Sequence, residues 1–145
     1  LDGAIAAQKK ALARNPAHPV YRRFLATHYR LVMRCALPSG SHRDLAATAR
    51  AWQRDAGDDP GDLAFAAFHV AKAVSFARDD GSLPKAQRAA LEQEYGTLAV
   101  ALLRGALEKG FAHADKLRTT RAFDVLRGRH DFQQMLLEFR KPRRK

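Results

Sequence analysis

The sequence predicts an all-α protein built from antiparallel helical hairpins stacked side by side. Three features of its 145 residues carry that prediction. Alanine is abundant while Val, Ile, Thr and aromatic residues are sparse, which favours helix over strand. Apolar residues recur at spacings of three and four, the period of a helix with one buried face. Pro, Gly and Asp gather between these periodic segments and not within them, as short helix-to-helix turns require.

The elements follow in order along the chain. The first helix is expected at about residues 2–14, with Ala4, Ala7, Gln8, Ala11 and Leu12 on one face. Asn15-Pro16 ends it, because the residue before proline avoids helical angles. The second helix starts at Pro19, a residue suited to a first helical turn, and runs to Leu37 with Tyr21, Phe24, Leu25, His28, Val32 and Cys35 as its buried stripe. Pro38-Ser39-Gly40 reads as a break. The third helix spans 41–56: Ser41 and Asp44 form a capping box, and Leu45, Ala49, Trp52 and Ala56 form its stripe. After Gly57-Asp58-Asp59-Pro60 comes a fourth helix, 60–78, with Leu63, Ala66, Ala67, Val70 and Val74 on one face and Phe65, Phe68 and Phe76 on a second, which predicts a central position.

The fifth helix, 84–109, is the longest. Leu91, Tyr95, Leu98, Leu102, Ala106 and Leu107 form its seam, Gly96 is expected to permit close helix approach, and Gly110 is its C-cap. Beyond it the pattern breaks into short helical pieces, 112–118 and 120–126, and a last helix at 131–139 with Asp131 as N-cap and Gln134 completing a capping box. Residues 1–139 are read as one domain and 140–145 as a basic flexible tail.

Hydrophobic residues make up 46% of the chain, a globular share. No apolar run approaches the roughly 20 residues of a membrane span, and no signal peptide is evident. The single Cys35 points to a reducing, cytoplasmic setting. The chain begins at Leu1, which predicts a segment of a longer protein. The net charge of +11 is unevenly spread. Residues 1–56 hold ten Lys/Arg against three acids, residues 57–111 six against eight, and residues 112–145 ten against four. Basic ends of this kind attract an acidic protein, a nucleic acid or an anionic surface.

Two rows of arginine are the candidate partner-binding residues: Arg23, Arg30 and Arg34 on the second helix, and Arg43, Arg50 and Arg54 on the third. Each row uses gaps of seven and four and therefore lies along one face. Packed antiparallel, the two helices would set both rows beside one groove, able to clamp carboxylates or phosphates through bidentate contacts.

Other constellations are weaker. His42-Arg43-Asp44-Leu45 resembles a kinase catalytic loop, but Ala49 stands where the metal-holding Asn belongs and no Gly-rich phosphate loop occurs. The six histidines never fall four residues apart as a helical zinc site requires. His28, on an apolar face, reads as a hydrogen-bonded core residue. Asp58-Asp59 and Asp79-Asp80 fall in turns, without a calcium-loop pattern. No catalytic constellation, cofactor or metal is therefore expected.

The repeats carry a resemblance. Ala4 and Ala11 share the seven-residue gap of Ala99 and Ala106, each followed by a turn at Asn15-Pro16 or Gly110. The run Asn15-Pro16-Ala17-His18-Pro19-Val20-Tyr21-Arg22-Arg23-Phe24-Leu25-Ala26 resembles a tetratricopeptide-repeat junction, as does Asp58-Asp59-Pro60 followed by Leu63-Ala64-Phe65-Ala66-Ala67. Ala99-Val100-Ala101-Leu102-Leu103-Arg104, Ala106 and Gly110-Phe111, taken with Leu117 and Leu126-Arg127-Gly128-Arg129-His130-Asp131-Phe132, are similar to the closing region of tetratricopeptide arrays behind bacterial eukaryotic-like serine/threonine kinases. The first helices lack that family's signature tryptophan and glycine. The resemblance implies a right-handed solenoid with an irregular C-terminal helical cap. It also implies a protein-binding or scaffolding role within a larger signalling protein; the arginine rows would select an acidic peptide as partner. Nucleic-acid or anionic-surface binding through the basic ends is the alternative, and it requires affinity that falls steeply with salt.

Overall fold

The computed structural model describes residues 2–56 and 58–139, so the expected tail at 140–145 lies outside the described residues. Seven α-helices and one 3-10 helix account for the described chain: α1 (Asp2–Arg14), α2 (Pro19–Ser39), α3 (His42–Ala56), α4 (Pro60–Asp79), α5 (Lys85–Glu108), α6 (Ala114–Thr119), the 3-10 helix Arg121–Leu126, and α7 (His130–Glu138). Among the described residues there is no strand. Nor, among the described residues, is any helix long and apolar enough to cross a membrane.

The helix ends follow the local chemistry. The Ser41 hydroxyl accepts the Asp44 N–H at 3.3 Å and donates to the Asp44 carboxylate at 2.6 Å. The Asp59 carboxylate accepts the Asp62 N–H at 2.9 Å, with Pro60 in the first turn of α4. At the end of α5, Gly110 turns into the left-handed region (φ 88°). The Phe111 N–H then reaches the Ala106 carbonyl at 2.9 Å and the Gly110 N–H reaches Leu107 at 3.0 Å. This pair of bonds satisfies two of the carbonyls that a helix end leaves open.

Two ends differ from the sequence expectation. α2 does not break at Pro38: the helix carries the proline in its last turn and stops at Gly40 (φ 67°). A proline there forfeits one hydrogen bond where the ladder is ending anyway, and the Ser39 hydroxyl adds a bond to the Ala36 carbonyl at 2.8 Å. At α7 the cap residue is Arg129, not Asp131. Asp131 sits inside the first turn and accepts the neighbouring Phe132 N–H at 2.9 Å. Gln133, not Gln134, reaches back, donating to the Arg127 carbonyl at 2.8 Å.

From α1 to α5 each helix packs on the next, and α4 is the hub, touching α2, α3, α5 and the 3-10 helix. Its contact with α5 is the most extensive in the molecule. Leu63, Ala66, Ala67, Val70 and Val74 of α4 are all buried, as their spacing predicts. Phe65, Phe68 and Phe76 are half-buried against the same core. Alanines are frequent among the buried residues of α4 and α5 (Ala66, Ala67, Ala71, Ala73, Ala99, Ala106), small side chains that favour close helix packing, and Leu102 and Leu103 of α5 are fully buried. The buried side chains from Leu25 to Met135 form one cluster. α1 stands apart: it has no buried residue, Ala7 is exposed, and only Ile5 and Leu12 lean on the core.

The buried face of α2 is the main correction. Leu25, Ala26, Tyr29, Met33 and Ala36 are inside. Of the stripe expected from spacing, Leu25 alone is buried; Tyr21, His28 and Val32 are half-buried, and Phe24 and Cys35 are exposed. Small residues at 26 and 36 allow α3 and α4 to approach on that side, and Tyr29 stacks on Trp52 of α3 at 5.9 Å between ring centres. His28 is not a hydrogen-bonded core residue: its Nδ1 is buried without a partner among the described residues.

Candidate functional site

The two arginine rows face different neighbours. From the α2 row, Arg30 forms an ion pair with Asp62 of α4, and its guanidinium lies over the Phe65 ring at 5.6 Å from the centre. From the α3 row, Arg50 forms an ion pair with Glu94 of α5. The groove that does form beside the α2 row, about 490 Å³, is lined by α2, the turn before α4 and the start of α4, with no α3 residue. Arg22, Arg23 and Arg30 meet Asp58, Asp59 and Asp62 there, and Ala26 and Thr27 complete the lining.

The pairing within this groove is uneven. Asp58 is held by Arg22 at 3.4 Å and by Lys109 at 3.3 Å. Asp59 is engaged in capping α4, and Asp62 is engaged by Arg30. Burial pushes the Asp62 carboxyl above the usual carboxylate range, against the pull of Arg30. Arg23 is therefore in surplus. Among the described residues Arg23, Arg34, Arg43 and Arg54 make no ion pair, whereas Arg30 and Arg50 do.

Next to the α2 row runs a feature that the sequence reading missed. Val20, Phe24 and Leu31 are 37%, 47% and 42% exposed, and the only other large apolar side chain so exposed among the described residues is Leu137. Spacings of four and seven put the three on one face of α2, opposite Leu25, Tyr29 and Met33. Thr27 lies between them and spends its hydroxyl on the Arg23 carbonyl at 2.9 Å, and exposed Cys35 continues the line. The signal was available in the sequence. α2 carries more large apolar residues than one buried stripe can hold, and the surplus repeats at helical spacing.

On the α4 side of the row, His69 is buried between Phe65 (4.3 Å) and Phe68 (5.3 Å). Its Nδ1 lies 2.9 Å from the Phe65 carbonyl and donates to it. Burial, and secondarily the charge of Arg34, hold its pKa below the usual histidine value, so it is neutral near pH 7. His42, from the kinase-like tetrapeptide, is also buried. Its Nδ1 lies 3.1 Å from the Tyr95 hydroxyl and its Nε2 3.3 Å from Asp80, joining α3, α5 and the end of α4. That contact braces three elements and lines none of the grooves described. Among the described residues no three of His, Cys, Asp or Glu converge as a metal site.

The closing segment is held by arginines of its own. Arg129 grips Asp131 with both ends of its guanidinium (3.0 and 2.8 Å) and donates to Gln93 Oε1 and Thr97 Oγ1 of α5, each at 2.9 Å. It lies flat over Gly96, where a Cβ would fall 2.5 Å from Nη1. Gly96 thus admits an arginine side chain, not the second helix that was expected. Arg104 and Glu138 add a second α5–α7 clasp.

Comparison with protein-family models, with curated proteins and with solved structures finds no match to this chain.

Proposed function

We propose that this chain is a protein–protein interaction module, a scaffold of stacked helical hairpins of the tetratricopeptide type in a right-handed solenoid, which captures an acidic segment of another protein. The observation that carries the reading is the surplus of charge on α2: Arg23 and Arg34 flank an exposed apolar face and have no acidic partner of their own among the described residues. Contact between α2 and α4, helices separated by one in the chain, supports the stacked arrangement. The resemblance of the closing residues supports a place inside a larger signalling protein such as a serine/threonine kinase.

The test is a binding titration of the whole chain with a glutamate-rich peptide and, separately, a generic DNA duplex, each at several salt concentrations. The expected result is micromolar peptide binding that weakens by about tenfold when Arg23 and Arg34 are both changed to Glu. Binding of the duplex alone, collapsing with added salt, overturns the reading in favour of nucleic acid.

A further inference from the structure

We infer that the outward face of α2 docks a short amphipathic, acidic helix of a partner protein, laid along the line Val20–Phe24–Thr27–Leu31. The inference rests on the interaction reading above and specifies the partner's chemistry and conformation.

The first argument is the shape of the surface. The apolar line spans twelve residues of one helix, Val20 to Leu31, about 16 Å at a rise of 1.5 Å per residue. It is a ridge along a helix, not a pocket. Isolated exposed apolar residues are ordinary, but here three of the four most exposed large ones share one helix face. The polar group within the line, the Thr27 hydroxyl, is already satisfied by the Arg23 carbonyl, so covering the ridge leaves no donor stranded there.

The second argument concerns the partner's backbone. α2 bonds its own main chain internally and offers an incoming strand no N–H or C=O to pair with. An extended peptide pressed on this ridge would lose hydration of its backbone without replacement. A helix brings its backbone already satisfied and lays down apolar side chains every three or four residues, the spacing of the ridge.

The third argument is charge. Arg23 and Arg34 lie on the flank of the ridge that turns toward α4, eleven residues apart, while Arg30 between them is neutralised by Asp62. Two carboxylates three turns apart on a facing helix match that interval. The same charge disfavours a second copy of this chain: two such faces would bring four unpaired arginines together, on molecules that each carry +11. A duplex would meet the arginines but leave the ridge uncovered.

The test uses the full chain and a fluorescent peptide of about 16 residues, with leucines at i, i+4, i+7 and i+11 and glutamates on both flanks. A control of identical composition has its leucines scattered around the helix. The amphipathic peptide is expected to bind at least tenfold more tightly than the control and to gain helical circular dichroism on binding. Phe24→Ser with Leu31→Ser is expected to remove that preference while the thermal melt stays unchanged, since both residues are exposed. Equal binding of the two peptides overturns helix docking while leaving acidic capture intact, and failure of both peptides overturns both readings. Concentration-dependent dimerisation abolished by Phe24→Ser assigns the face to a second copy instead, and tighter binding of a duplex assigns it to nucleic acid; either overturns the inference.

Discussion

α2 and α4 are almost the same length, 21 and 20 residues, and each begins at a proline. α4 buries ten residues around most of its circumference, whereas α2 buries five on one side. α4 is enclosed by α2, α3, α5 and the 3-10 helix, so its apolar content goes into stability. α2 lies nearer the edge, with more apolar side chains than its neighbours cover. The difference shows that apolar content along a helix reports where contact is possible, not whether the contact partner belongs to the same chain.

Substitution separates the two helices most sharply. Val70→Asp places an unpaired carboxylate at a fully buried position of α4 and is expected to remove roughly 4 kcal/mol or more of stability. Phe24→Ser on α2 is expected to stay within about 0.5 kcal/mol. Chemical denaturation of both variants measures the contrast, and similar losses would erase the distinction between core helix and edge helix.

Trp52→Ala comes next. The side chain is 2% exposed and wedged between Tyr29 and Phe65, so its loss joins removed contacts to a residual cavity. About 3–5 kcal/mol is expected. A loss below about 1 kcal/mol would mean that the α2–α3–α4 junction is less tightly packed than described.

Gly96→Ala sharpens the comparison at the other end. Alanine improves helix propensity by up to about 1 kcal/mol. Its methyl, however, displaces the Arg129 guanidinium and its charge-assisted bonds, a loss of about 1.5–3 kcal/mol. A net destabilisation of about 1 kcal/mol is expected, read as faster amide exchange in α7. In an Arg129→Ala background the same change is expected to become stabilising, because the clash is gone and the propensity gain remains. An unchanged sign would remove Arg129 as the reason for the glycine.

The smallest effect is a response to acid. Hydrogen bonding from Arg129 holds the Asp131 carboxyl below the usual carboxylate range. Its contribution to stability is therefore present above that range and lost as the pH falls through the depressed value. Asp62 has the opposite shift: burial raises it, so its contribution is largest at low pH and is lost as the pH rises through the raised value. On acidification, amide exchange in α7 is expected to quicken before exchange at the α2–α4 seam, and Asp131→Asn is expected to abolish that order. Simultaneous loosening of both regions would refute it.

Much of the framework was legible in the residues. α1 spans the predicted 2–14, and the starts of α3, α4 and α5 fall within a residue of expectation. Ser41, Asp59 and Gly110 act where their chemistry places them, because a cap is a contract between residues a few positions apart. The misses share a cause. Spacing of the large apolar side chains favours one face of α2, while the structure buries Leu25, Tyr29 and Met33 together with Ala26 and Ala36, which allow neighbouring helices to approach. Local sequence points to Asp131 as the cap of α7, but Arg129 occupies that carboxylate and is itself fixed by Gln93 and Thr97 of α5. Of the six candidate arginines, spacing alone could not tell that Arg30 and Arg50 would meet acids on α4 and α5.

By itself, then, the chain's composition and periodicity determine that it is helical, where most helices begin and end, and that its charge is concentrated toward its two ends. Those properties follow from backbone conformation and neighbours within one or two turns. Which side of α2 turns inward, which arginines are neutralised and why residue 96 is glycine depend on contacts between residues more than 20 positions apart. Only the tertiary structure decides these, because helical spacing specifies a face but not what comes to lie against it.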